Sequence, residues 1–391
     1  KEMYTIRIAD SIQEVKKDEW DAMTDDNIYV SYGWLKTMEE VSARKILLKY
    51  FLVHDAQRLI GATVCYITHE AEEGMNLDNF MFGRFKSYAS RLGFSFLPVM
   101  VCSPRGCYGK HFLIREDVDP RTKGIVVNQL LEAVETNARE EGLSLCFTNV
   151  MDHEGELIRL FRQNRYGRVF DLPLNYLDIG WSSFQGYRNY VKGVSFNTWK
   201  KINNQMNINE KAGVVIERLE DVDGCEDRLY ELINNNYYKH NRMKSPFKKE
   251  FFGKLKENLG KDAVIYIARK KDQLTAVSLL LKRNRVGFTA MVGVDHELAG
   301  NDFTYFNIVY YRPIMDAISD QMKRLYFGNS MYELKARRGC KRMPAYIYYR
   351  TFNKITNLAV KPWFALLSVR YKSKIPQCHK EIAARANGEL N

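Results

Sequence analysis

Two halves of this sequence follow the same order of apolar and polar segments. Residues 50–67 have the pattern of an apolar strand, a polar turn and a second apolar strand, and residues 264–281 repeat that pattern. Leu59 in the first copy matches Leu274 in the second at an offset of 215. A repeat of this length predicts two similar structural units. The alternative interpretation is that the two halves are not a repeat, because any two α/β segments would share a pattern as loose as this one.

The repeat continues further along each half. A helix-periodic run precedes an apolar strand in both copies, and Leu145 of the first strand matches Leu325 of the second at an offset of 180. The two offsets differ by 35 residues, so we expect the first copy to carry an insertion of that size between its second strand and its helix. The Gly- and aromatic-rich segment 69–98 is the candidate.

Each copy therefore has the pattern of a hairpin, a further strand, a long helix and a strand, which indicates an α+β fold with mixed sheets crossed by helices. We predict a first domain over residues 1–180, with the insertion near 69–98. A second domain over 181–350 is predicted to carry the active site. Residues 351–391 are predicted to form a basic, aromatic, helical C-terminal tail, for which packing on the core is favoured over peripheral membrane contact.

The composition is that of a globular protein, with 46% hydrophobic and 27% charged residues among 391. The longest stretch without charge, residues 92–104, is 13 residues long, well below the ~20 that a membrane-spanning helix needs. We expect no transmembrane helix and no secretory signal, and hence a cytoplasmic location.

The net charge of +12 favours a polyanionic partner: RNA, a nucleotide cofactor, an acidic carrier protein or a membrane surface. The seven cysteines are an odd number and never occur as Cys-x-x-Cys, so neither a disulfide framework nor a zinc knuckle is indicated. None of the seven histidines has ligand spacing on a helix. We therefore expect no metal and no redox cofactor. Phosphate-loop, Rossmann and nucleophile-elbow motifs are absent from the sequence as well.

Several segments of the second half resemble the Fem family of transferases. Residues 198–221 are similar to the basic helix that opens the family's second half. Residues 232–255 look like its helix ending in an arginine, followed by a loop and a phenylalanine-containing helix, and Arg242 and Phe247 match those positions. Residues 303–318 resemble the helix before the family's final strand.

The closing segment 325–340 resembles the family's last strand and loop, where an aromatic-Gly pair is followed by Lys-x-x-x-Gly. The matching residues are Phe327, Gly328, Lys335 and Gly339. The resemblance implies that Lys335 is catalytic and that the other three, together with Arg242, bind substrate.

The first half is similar, more loosely, to Fem-like peptidoglycan biosynthesis/recognition proteins and CelD-type acyltransferases, so the resemblance covers roughly residues 20–349. It implies two tandem GNAT-like units. In such units a splayed pair of strands holds an activated acyl donor, and an amine attacks its carbonyl. The implied activity is N-acyl transfer that forms an amide bond, with a small-molecule or peptide amine as acceptor.

The donor is the open question. Acyl-CoA users of this superfamily carry a glycine-rich loop at the start of the long helix, where backbone amides bind pyrophosphate. The corresponding turns here, 119–128 and 297–307, have one glycine each. Aminoacyl-tRNA, which suits the positive charge, is therefore the favoured donor. An acyl thioester on CoA or on an acyl-carrier protein is the alternative, and a non-catalytic RNA- or precursor-binding protein is a third hypothesis.

The resemblance implies that Lys335 holds the developing oxyanion or an anionic substrate group; alternatively it is an exposed lysine in a basic run. Arg242 is a candidate clamp for an anionic group, or a structural ion-pair residue. Tyr305 and Asn307 are candidates to orient the amine or the leaving group, although a buried tyrosine with a structural partner is commoner. Arg105, in the two-glycine turn 104–109, is a candidate anion contact or part of a simple surface turn.

Overall fold

A computed structural model describes residues 4–42, 47–69, 77–82, 85–91, 95–104, 106–241 and 244–373. Described residues of the ranges 4–172 and 344–373 form one compact unit, unit 1, and those of 173–343 form another, unit 2.

The strands are β1 (Tyr4–Ala9), β2 (Leu47–Asp55), β3 (Arg58–Thr68), β4 (Val99–Cys102), β5 (Phe112–Ile114), β6 (Ser144–Met151), β7 (Gly167–Asp178), β8 (Val214–Leu219), β9 (Ala263–Lys270), β10 (Gln273–Arg283), β11 (Val286–Val294), β12 (Arg324–Tyr326) and β13 (Lys341–Arg350). The helices are α1 (Lys17–Asp21), α2 (Tyr32–Val41), α3 (Leu77–Phe82), α4 (Lys86–Arg91), α5 (Pro120–Glu140), α6 (Gly155–Gln163), α7 (Phe184–Val194), α8 (Phe196–Lys211), α9 (Glu226–Asn241), α10 (Phe251–Leu259), α11 (His296–Ala299), α12 (Thr304–Phe306), α13 (Arg312–Ser319), α14 (Tyr332–Ala336) and α15 (Lys354–Ser373). A π-helical segment, Asn307–Tyr311, joins α12 to α13.

Unit 1 contains a mixed sheet in the order β1-β2-β3-β4-β6-β13-β7, with β5 added to β3. Strands β4 and β6 are parallel, whereas β1, β2 and β3 form an antiparallel ladder. Helix α5 begins with a proline in its first turn, and Val126, Leu130 and Val134 recur on one of its faces. These three side chains are buried in the core of unit 1 with Phe51 of β2 and Phe147 of β6.

Unit 2 repeats this plan in the order β7-β12-β11-β10-β9-β8. Strands β11 and β12 are parallel, and β8 to β11 form an antiparallel ladder. The helical run from α12 to α13 buries Ile308, Tyr311 and Ile314 in a core that includes Tyr266 and Leu280. The predicted α+β class, with two units that each hold a mixed sheet crossed by helices, is confirmed.

The two sequence offsets correspond to equivalent places in the two sheets. Leu59 and Leu274 are each the second residue of a hairpin strand, β3 and β10. Leu145 and Leu325 each occupy the middle of a three-residue parallel pairing, β6 with β4 and β12 with β11. Residues 69–98 separate β3 from β4, whereas two residues join β10 to β11, and the insertion near 69–98 stays a prediction.

Each unit is completed by chain from both halves of the sequence. Strand β13 follows the second copy, yet its residues from Ala345 to Arg350 pair with β6 in unit 1. Strand β7 follows the first copy, yet its residues from Tyr176 to Asp178 pair with β12 in unit 2. The predicted domain ranges, 1–180, 181–350 and 351–391, stay a prediction.

Candidate functional site

Strands β11 and β12 of unit 2 separate after three paired residues. Their last pair is Phe288 with Tyr326, and β11 continues to Val294. The chain that follows β12 bonds to β7 instead, where the N–H of Phe327 donates to the carbonyl of Asn175 at 2.8 Å. Beyond Phe288 the main chain of β11 has no β12 residue opposite it, although the hydroxyl of Thr289 still donates to the carbonyl of Tyr326 at 3.1 Å. We call the place where the two strands part the splay.

A β-bulge lies where the splay begins. The pairing of β10 with β11 skips Ala290, because Leu280 is opposite Thr289 and Leu279 is opposite Met291. The extra residue of a bulge is left out of the ladder and changes the direction of the local backbone. Ala290 is also half-buried rather than enclosed. Its main chain is thus a candidate hydrogen-bonding group at the splay.

Lys335 lies at the same end of β12. Its side chain is buried, with 4% of the residue exposed, and Nζ donates to the carbonyl oxygen of Phe327, the residue after β12. Burial lowers the pKa of Lys335 from 10.5 to about 8, with the thiol of Cys340 acting in the opposite direction. An ammonium group held in such a place gains more from a nearby negative charge than one in water. Lys335 is therefore a buried cation and not an exposed lysine of the basic run.

Aromatic side chains of α12 and of the π-helical segment lie near the end of β12. The ring of Phe327 stacks on Tyr310, with centroids 5.2 Å apart, and Tyr310 meets Tyr305 edge-on at 6.3 Å. The hydroxyl of Tyr305 lies 3.6 Å from the sulfur of Met331. Burial raises the pKa of Tyr305, so its phenol keeps its proton at neutral pH. The π-helical segment supplies Tyr310; such widened turns are frequent at functional sites.

Arg338 is a buried residue of the site that the sequence does not single out. It is 5% exposed, and its guanidinium donates to the hydroxyl of Tyr311 at 3.1 Å and to Oε1 of Gln205 at 3.3 Å. Its carbon Cζ lies 4.8 Å from the ring centre of Phe306 and 5.4 Å from that of Tyr310. The sequence carries no signal for this burial, because Arg338 stands in a run of basic residues that is typical of a surface.

Of the other predicted residues, Asn307 is tied to the main chain. Its Nδ2 donates to the carbonyl of Gln205 at 3.3 Å and to that of Phe303 at 3.0 Å. Arg105 and Arg242 lie outside the described residues. The predicted roles of all three toward substrate stay predictions.

Lys335 lies in the short helix α14 and not in the loop that the sequence predicted, and the two predicted glycines lie on either side of this helix. Gly328 has φ of 70°, and its carbonyl accepts bonds from the main-chain and side-chain nitrogens of Asn175, at 2.9 and 2.7 Å. Gly339 has φ of 86°, and a Cβ there would lie 2.3 Å from Cε1 of Tyr190. Both glycines are thus required by backbone geometry, and their part in substrate binding stays a prediction.

An aspartate side chain accepts hydrogen bonds from main-chain amides at the start of α5 and at the start of the helical run from α12 to α13. In unit 2, Oδ1 of Asp302 accepts from the N–H of Thr304 at 3.0 Å, and its Oδ2 pairs with Lys270 at 3.1 Å. In unit 1, Asp119 accepts from the N–H groups of Arg121 and Thr122, at 3.0 and 3.1 Å. These carboxylates occupy main-chain amides that a pyrophosphate at the same helix starts would need.

In unit 1 the chain itself fills the corresponding gap beyond the parallel pairing. The N–H of Gly109 donates to the carbonyl of Asn149 at 3.0 Å, and Nε2 of His111 donates to that of Thr148 at 2.7 Å. Burial opposes charge on His111, but Glu154, 2.7 Å from Nδ1, outweighs it and raises the pKa of His111. This buried pair locks the segment to β6, so unit 1 has no open splay at that place.

Among the described residues, His, Cys, Asp and Glu nowhere group in threes or more in a way that could hold a metal ion. Within the same part of the chain, every helix is too short or too polar to span a membrane.

The sequence from residue 11 to 386 matches the FemAB-like family, described as peptidoglycan biosynthesis/recognition. No curated protein sequence matches the chain significantly.

Solved structures share the fold at low sequence identity. FemX is 11% identical with a TM-score of 0.59, over 89% of this chain and 98% of its own. A protein of unknown function from Bacteroides thetaiotaomicron is 12% identical with a TM-score of 0.55, over 88% and 99%. The C-terminal domain of a putative lysylphosphatidylglycerol synthetase from Agrobacterium fabrum is 10% identical with a TM-score of 0.54, over 90% and 95%.

Proposed function

Because the chain belongs to the FemAB-like family of peptidoglycan biosynthesis and recognition, we propose that it is an N-acyltransferase that joins an activated acyl donor to an amine through an amide bond. The family supports an acyltransferase in general. The observation that carries the proposal to a site is the open splay in unit 2, with the Ala290 bulge on one strand and the buried cation of Lys335 at the end of the other.

The reaction needs a place for the negative charge that develops on the carbonyl oxygen. The amine attacks the donor carbonyl, a C–N bond forms, and the bond to the leaving oxygen or sulfur breaks. In our proposal the carbonyl lies along the free side of β11, where the N–H of Ala290 and the Lys335 ammonium stabilise the oxyanion. The lowered pKa of Lys335 indicates that its neighbours do not fully balance the charge of the buried ammonium. The negative charge that develops on the carbonyl oxygen would balance it.

The leaving group must gain a proton as the bond breaks. Tyr305 is the proposed proton donor, because its half-buried phenol remains protonated and its hydroxyl is near Met331 in the loop that leads to Lys335. The attacking amine loses a proton as the amide forms, and in the proposal this proton returns to the Tyr305 phenolate, so the phenol is restored and the step balances. Asn307 is proposed to support the helix rather than touch substrate, since two carbonyls hold its amide.

We propose aminoacyl-tRNA as the donor. The carboxylates of Asp302 and Asp119 at the starts of the two long helices disfavour a CoA pyrophosphate at either place, and the net charge of +12 suits a polyanion. A peptide amine is the proposed acceptor, in keeping with the family description. A tRNA donor would place the reaction in the cytoplasm.

The test is a donor screen by filter binding and thermal shift, with CoA, acyl-CoA, acyl-carrier protein, and charged and uncharged tRNA at two salt concentrations. We expect tRNA binding that weakens steeply with salt. Stabilisation by a thioester with no response to tRNA would contradict aminoacyl-tRNA as the donor. It would still be consistent with an acyltransferase.

Catalysis by the splay is tested with Lys335→Ala. We expect the rate of amide formation to fall at least about a hundredfold, with tRNA affinity unchanged. Lys211→Ala, at an exposed lysine of α8, is the matched control and should keep its rate. Full activity in a folded Lys335→Ala protein would remove Lys335 from the mechanism.

A further inference from the structure

Helix α15 has an apolar face that belongs to the core of unit 1. Val360, Phe364 and Leu367 are at most 7% exposed and pack with Phe96 and Tyr349. Their spacing of four and three residues is that of one helix face. This face accounts for the docking of α15 on unit 1.

A second apolar face lies opposite to the first. Leu358, Leu366 and Val369 are 74%, 62% and 68% exposed, and Pro362 and Ala365 between them are exposed as well. At 3.6 residues per turn these five residues form one continuous stripe along the helix. We call this stripe the outer face of α15. Singly exposed apolar residues are ordinary on protein surfaces, but a stripe over three turns is not.

Basic residues border the outer face on both sides. By the same helical spacing, Lys361 and Lys372 lie along one border and Arg370 along the other, and all three are exposed. The ammonium of Lys372 lies 5.6 Å from the ring centre of Phe170. Residues 354–373 contain no aspartate or glutamate. An apolar stripe between two basic borders is the pattern of a helix that lies in the interface of an anionic lipid bilayer.

We propose that the outer face of α15 docks unit 1 onto an anionic membrane surface. The stripe enters the boundary between headgroups and acyl chains, and the three cations meet lipid phosphates. The core face of α15 stays packed on the sheet, so docking requires no unfolding. A second protein copy would cover the stripe but would have to bring its own three cations against these, which opposes a symmetric dimer through this face.

The experiment is co-sedimentation of the full chain with vesicles of phosphatidylcholine alone or mixed with phosphatidylglycerol. We expect binding to the mixed vesicles and little to the neutral ones. The double variant Leu366→Glu, Val369→Glu should weaken binding at least about tenfold. The double variant Lys361→Gln, Arg370→Gln should weaken binding to anionic vesicles roughly fivefold for each charge.

The matched control is Ile8→Glu, Val215→Glu, which places the same two charges at exposed apolar positions on β1 and β8. Its binding should equal that of the unmodified chain, and thermal unfolding of every variant shows whether it is folded. No binding to anionic vesicles would overturn the proposal, as would equal loss in the control. If light scattering shows a dimer that dissociates in the Leu366→Glu, Val369→Glu variant, a second copy of the chain covers the outer face of α15 and the membrane proposal is wrong.

Discussion

Replacing Lys335 by methionine should stabilise the folded chain in a pH-dependent manner. Burial lowers the pKa of Lys335 from 10.5 to about 8, so the charged lysine destabilises the folded state by about 3 kcal/mol at pH 7. Methionine keeps most of the volume and removes the charge. It also leaves the Phe327 carbonyl, which Nζ bonds, without this donor, at a cost of about 1–3 kcal/mol.

The dependence on pH separates these two effects. Because the pKa is lower in the folded chain than in the unfolded chain, the unfolded state holds the proton more tightly, and the unmodified protein gains stability as pH rises from 8 toward 10.5. Its penalty falls from about 3 kcal/mol at pH 7 to about 1 kcal/mol at pH 9.5. The lost hydrogen bond costs the same at both values. The advantage of the variant should therefore shrink by about 2 kcal/mol over this range.

Urea unfolding of both proteins at pH 7 and pH 9.5 measures this difference, and other groups that titrate there cancel between them. Lys211→Met, at an exposed position, should show no pH-dependent difference from the unmodified chain. A constant difference between Lys335→Met and the unmodified chain at the two pH values would refute a buried, destabilised ammonium. It would also remove the basis for its proposed role toward an oxyanion.

Further substitutions test the packing around the site and the attachment of α15. Gly339→Ala should lower the free energy of unfolding by about 2–4 kcal/mol, because φ is 86° and the new Cβ meets Tyr190; Gly142→Ala, with φ of 68° and open space, is the control and should cost about 1 kcal/mol. Equal losses in urea unfolding would show that Tyr190 moves aside. Arg338→Met should cost about 2–4 kcal/mol by the same measurement, because it removes a guanidinium bonded to Tyr311; no loss would mean that the aromatic rings around it repack fully. Phe364→Ala, at a fully buried ring of α15, should cost about 3–5 kcal/mol, and a loss below about 1 kcal/mol would show that α15 does not pack as described.

Local pattern is sufficient for the α+β class and the two units. Strand alternation and helix periodicity arise from side chains a few positions apart, so the amino-acid order alone matches Leu59 with Leu274 and Leu145 with Leu325, and these pairs occupy equivalent strand positions. The insertion follows from the difference between their offsets. Lys335 is singled out only by the family resemblance of a short segment; its burial is a finding of the structure, and its catalytic role stays a prediction.

Other parts of the site have no local signal. The bulge at Ala290 follows from the register between two strands, and main-chain register is poorly encoded by any one residue type. Arg338 is buried among aromatic rings although its neighbours in sequence are basic. The filling of the unit 1 gap depends on a turn around Gly109 whose sequence is that of an ordinary surface turn.

By itself the sequence determined the repeat and the α+β class, because both follow from the spacing of nearby side chains. The tertiary structure decided which copy receives each last strand: Ala345–Arg350 of β13 complete unit 1, and Tyr176–Asp178 of β7 join unit 2. It also decided that β11 and β12 part after Phe288 and Tyr326, and that burial lowers the pKa of Lys335 to about 8. These depend on backbone hydrogen bonds and burial between residues distant in the chain, which side-chain spacing does not encode.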